Sequence, residues 1–182
     1  LFSALNVRGN VKIENITINS SKCRYSIHDE SGSLYPNSVK EYRNVKCYHD
    51  NSEYGGTTIG CGYSINTKAN FINCVFENIN SHSFSVHEKG NCNIEFENCV
   101  LITGDNNYAL RLSQEGYNYL YAFITNCFIK GIQIRDEIIE STVNGNTEIN
   151  IVNSYYKIFK SDYPANDKKI ISYNYDGTIV NL

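Results

Sequence analysis

ANFINCVF at 69–76 and IEFENCVL at 94–101 share one plan, two short apolar runs hinged on a single asparagine. Four more segments repeat it: VKIENITI (11–18), KEYRNVKC (40–47), AFITNCFI (122–129) and INIVNSYY (149–156). Superposed, they bring Asn15, Asn44, Asn73, Asn98, Asn126 and Asn153 into one column, with steps of 29, 29, 25, 28 and 27 residues. A period in this range signals a repeat architecture, in which each unit buries its apolar face by stacking on its neighbours.

The flanking columns say which one. Two residues before the asparagine stand Ile13, Tyr42, Phe71, Phe96, Ile124 and Ile151; one after it, Ile16, Val45, Cys74, Cys99, Cys127 and Ser154; three after it, Ile18, Cys47, Phe76, Leu101, Ile129 and Tyr156. Apolar residues alternate with period two up to the asparagine, jump by three across it, and resume. A strand that turns a corner while keeping its inward face has this pattern. At the strand spacing of about 4.8 Å, the corner amides of successive coils can bond one another in a ladder.

This pattern resembles the right-handed parallel β-helix of the pectate-lyase-like superfamily, phage tailspikes included, over nearly the whole chain. The expected fold is all-β: a solenoid of about six coils with three strands each. Residues 1–160 form the helix, and 161–182 a loop and capping hairpin in which IISYNYDGTIVNL (170–182) makes two strands about Asp176-Gly177. Because the 182 residues contain no Met, the chain reads as a piece of a longer solenoid or protein.

Hydrophobic residues make up 41% of the chain, enough for a real core. Net charge −3 gives no electrostatic footprint for nucleic acid, and no apolar run approaches the roughly 20 residues of a membrane span. The expected partners therefore exclude both. Seven cysteines are an odd total for a closed disulfide framework. Cys74, Cys99 and Cys127 share a column with Ile16 and Val45, which marks them as small buried hydrophobes.

A third strand per coil is expected at RYSIHDE (24–30), GYSINT (62–67), FSVHEK (84–89), YALRLS (108–113) and GIQIRDE (131–137). Its outward residues fall into a short column, Ser26, Ser64, Ser85, Ala109 and Gln133, and a longer polar one, His28, Asn66, His87, Arg111 and Arg135. Connections vary in length on either side of this strand, where insertions in a solenoid collect. The asparagine corner never lengthens.

The resemblance implies a ligand groove along the third-strand face, with polysaccharide or a cell-surface glycan as ligand. Tyr54 and Tyr35 would be rim aromatics, and Asn66, Arg135 and His49 polar contacts. Were the chain an enzyme, a polysaccharide lyase would take His28 or His87 as base and Arg111 as the cation that neutralises a uronate. A glycoside hydrolase would draw a carboxylate pair from Asp29, Asp50 and Glu88. Against each stands the ordinary reading of a polar outward side chain as solvated surface. The catalytic segments of polygalacturonases and of calcium-dependent pectate lyases are missing, so the resemblance implies a fold and a substrate class rather than a reaction.

The expected role is a carbohydrate-interacting module of a bacterial surface or phage tail protein, extracellular or virion-associated. The alternatives are such an enzyme, or a shaft without ligand. No cofactor is called for, though a calcium ion would be compatible, and the parent protein is expected to associate as a homotrimer.

Overall fold

The computed structural model describes residues 2–29, 34–50, 56–59, 66–88, 92–104, 108–114, 119–136, 146–159, 168–173 and 179–181. After β1 (Ser3–Val7), strands come in threes: β2 (Val11–Glu14), β3 (Thr17–Asn19), β4 (Tyr25–Asp29); β5 (Val39–Arg43), β6 (Lys46–His49), β7 (Thr57–Ile59); β8 (Thr67–Ile72), β9 (Val75–Asn78), β10 (Phe84–Glu88); β11 (Cys92–Glu97), β12 (Val100–Thr103), β13 (Leu110–Gln114). Then follow β14 (Tyr119–Thr125), β15 (Phe128–Asp136), β16 (Asn146–Val152), β17 (Tyr155–Phe159), β18 (Lys168–Tyr173) and β19 (Ile179–Asn181). Every strand pairs in parallel with the equivalent strand of the next coil, β18 with β19 excepted. The result is an all-β parallel solenoid of about four turns.

The asparagine corner is as the sequence foretells. All six asparagines have left-handed backbone, with φ between 46° and 58°, a region that asparagine enters more easily than any other non-glycine residue. In the first five, the amide N–H bonds to the carbonyl just before the next asparagine, so that Asn73 donates to Glu97 at 2.9 Å and Asn98 to Thr125 at 3.0 Å. Side-chain amides bond along the stack as well, Asn44 to Asn15 at 2.8 Å and Asn153 to Asn126 at 2.7 Å.

Inside, like stacks on like. Tyr42, Phe71 and Phe96 pile up with centroid separations of 4.7 and 5.1 Å, and Phe76 and Phe84 meet Phe71 edge-on from the other two walls. Cys74, Cys99 and Cys127 form the next column, buried and free of disulfides. Their thiols bond backbone carbonyls, as in Cys99 Sγ to Phe71 O at 3.3 Å. The Cys99 thiol is pushed up by its bonds to Cys127 and Cys74 and by burial, which keeps it protonated and unreactive.

A second left-handed column lies at the corner before β5 and β8. Asn37 and Asn66 have φ of 58° and 57°, and Asn66 Nδ2 donates to Asn37 Oδ1 at 2.9 Å. This corrects the expectation for Asn66: it is a bend residue, not part of an outward column. The third strand of its coil is Thr57–Ile59, paired to β10 through Phe84↔Thr57, rather than GYSINT. Residues 60–65, Ser64 among them, lie outside the described residues.

The last coils depart from three separate strands. β15 runs on through the second corner and pairs with both β12 and β13. The two strands expected near the C-terminus do pair antiparallel, Tyr173 opposite Ile179 and Ile171 opposite Asn181, while β18 also continues the parallel ladder on β16.

Candidate binding face

Residues on the third strand are fixed by register. Asn6, His28, Thr58, Ser85, Arg111 and Gln133 follow one another across β1, β4, β7, β10, β13 and β15. The strand neighbours Ile27, Phe84 and Leu110 are buried in the core, so alternation turns Asn6, His28, Ser85 and Arg111 outward. In backbone register, His87 stands opposite Ser113, which in turn pairs with Arg135.

Arg111 therefore sits over Ser85, and not over His87 as the sequence suggests. The reason is spacing: Phe84 lies eleven residues after Asn73, but its partner Leu110 lies twelve after Asn98. Aligning the aromatic Tyr108 with Phe84 slips the register by two. Ser26 and Ala109 move for the same reason. They precede the inward Ile27 and Leu110 and start their strands beside Gly56 and Ser83, where Ser26 N bonds Gly56 O and Ser83 N bonds Ala109 O. Only small residues fit there, since a Cβ on Gly56 would lie 2.9 Å from Ser83 O.

His28 is buried although it points outward. Phe2 and Tyr25 pack on its ring, both at 4.7 Å, and the Arg24 guanidinium lies over those same two rings at 5.4 and 5.2 Å. Such contacts hold a cation against aromatic faces. Ser85 is also buried and Arg111 half-buried, whereas Asn6 is exposed.

Asp29 is displaced from this face altogether. It follows His28 on the strand and so points inward beside Val7, where it meets Lys40. Asp29 is thus corrected from a candidate catalytic acid on the groove to a group of the interior. His49 is corrected likewise. Rather than opening a loop it ends β6, 4% exposed, with Nδ1 bonded to Ser20 Oγ at 2.8 Å, while Ser20 Oγ also meets Ser26 Oγ at 2.5 Å. Burial lowers the pKa of His49. Asp50 is exposed and its carbonyl accepts from Asn80 Nδ2 at 2.6 Å. Tyr35 is exposed at the corner between β4 and β5, its ring against Gly9, where an added Cβ would come within 3.1 Å.

Tyr54 and the side chains of His87, Glu88 and Arg135 lie outside the described residues. Among the described residues no cluster of His, Cys, Asp and Glu could hold a metal ion.

Two sets escaped the sequence reading. Ser20, just after β3, and His49, Asn78 and Thr103, which end β6, β9 and β12, form a buried polar column that caps the second corner: Asn78 Nδ2 donates to His82 O at 3.2 Å and Thr103 Oγ1 to Ser81 O at 2.6 Å. The signal was a polar residue two places after the inward Ile18, Cys47, Phe76 and Leu101. The other is Lys40, which occupies an inward slot between Val11 and Ala69. A lysine two residues before Tyr42 in the KEYRN segment was the visible clue.

Fold and face together define a parallel β-solenoid with polar residues in register along its third wall. Comparison with family models, with curated proteins and with solved structures finds no match to this chain.

Proposed function

We propose that the chain is a right-handed, six-coil β-helix module of the pectate-lyase-like kind, closed by its C-terminal hairpin, that binds polysaccharide along the third-strand face. Its parent would be a bacterial surface or phage tail protein. The observation that carries the reading is the outward set Asn6, His28, Ser85 and Arg111, which stand in one register column of the third wall. A polymer laid parallel to the solenoid axis would meet these polar groups in turn across strands about 4.8 Å apart.

Binding is preferred to catalysis because Asp29, one of the three acids a hydrolase would draw on, is occupied inside the core. Binding on a glycan array, weakened at least tenfold by Arg111→Ala and accompanied by no release of reducing or unsaturated ends, is the expected result. Turnover of any bound glycan would favour the enzyme, and a blank array the shaft.

A further inference from the structure

Asp29 on β4 and Lys40 on β5 face each other inside the solenoid, with Nζ 3.1 Å from Oδ1 and both side chains wholly out of solvent. Lys40 Nζ also donates to Gly9 O at 2.7 Å. The next inward residue on β5, Tyr42, is fully buried, and its hydroxyl has no hydrogen-bond partner among the described residues. Burial first, and then the charge of Asp29, raise the pKa of that hydroxyl. An amine, a carboxyl group and a phenol thus share one dry compartment.

We propose that Asp29 and Lys40 condense to an intramolecular isopeptide bond. Away from water, separated charges are expensive, and transfer of one proton across the contact leaves an amine beside a carboxylic acid. The Nζ lone pair then attacks Cγ of Asp29 and forms the C–N bond. A second proton leaves Nζ for the departing oxygen, the C–O bond breaks, and one water molecule is released. Amine and acid together lose only the elements of water, so no oxidant or activating group is needed. Two β-ladders hold the reactants in contact, and such fixed geometries reach effective molarities of about 10⁵–10⁸ M.

The bond would tie β4 to β5 beside the partly buried Leu5, Val11 and Ile13. It acts on the scaffold and does not depend on what the outer face binds.

Mass spectrometry of the folded and then denatured chain tests it. The expected mass is lower than the sequence mass by one water molecule, with the peptides carrying Asp29 and Lys40 joined. Asp29→Asn should instead lose one ammonia, because the amide nitrogen is then the leaving group, and Lys40→Arg should keep its full mass. A full sequence mass for the native chain after prolonged incubation in the folded state overturns the bond.

Discussion

The first and second corners of the solenoid solve the same geometric problem in opposite ways. At the first, one residue type and one backbone conformation recur in every coil, six asparagines with φ near 50°. At the second, Ser20, His49, Asn78 and Thr103 share a position but not a chemistry, and they bond different partners. A corner of constant length lets each residue stack on its own kind. Where connections change from coil to coil, every rung must find its own bonds.

That contrast orders the expected effects of substitution. Between the corners, Phe71 touches Tyr42, Phe76, Phe84 and Phe96 at once, so Phe71→Ala should be the most damaging single change, about 3–5 kcal/mol in denaturant unfolding. At the second corner, a Cβ on Gly104 would come within 2.1 Å of Ile79 O, which is backbone and cannot step aside. Gly104→Ala should therefore cost about 1–3 kcal/mol. The first corner should respond to backbone more than to side chain. Asn98→Ala, which forces alanine into the left-handed region, should cost about 1–2 kcal/mol, and Asn98→Gly should cost less. If glycine proves the worse of the two, the side-chain ladder and not the backbone governs that corner.

Acid should find the second corner before the first. Burial lowers the His49 pKa in the folded chain, so the unfolded chain takes up that proton at a higher pH. Stability from this group is then fully present above the ordinary histidine value of about 6.5 and is lost as pH falls below it. The urea midpoint should drop between pH 7.5 and pH 5, and His49→Asn should flatten the slope. Smallest of all should be Arg111→Ala on the outer face, within about 0.5 kcal/mol of the parent, while glycan binding is lost.

The same contrast explains what the sequence could reveal. Asn73, Phe71 and Cys99 were readable because the first corner keeps their spacing fixed from coil to coil, and a period-two pattern with an asparagine hinge has one structural solution. Arg111 was not, because its register depends on one residue more or less in the connection before β13, and an aromatic at Tyr108 mimics the inward Phe84. Asn66 was misplaced because a left-handed asparagine after GYSI looks, in sequence, like one more polar residue on a strand. Lys40 and Asp29 obeyed the alternation that placed everything else inward. Only the expectation that charge stays outside hid them, and a buried pair with matched partners is the standing exception to it.

Stacking of the coils in register at the asparagines can be read from scalar couplings transmitted through hydrogen bonds, measured by NMR on the deuterated chain. The amide nitrogen of Asn73 should correlate with the carbonyl of Glu97, and that of Asn98 with the carbonyl of Thr125. Correlations from these amides to carbonyls of any other segment would contradict the stack, and with it the placement of the outer column.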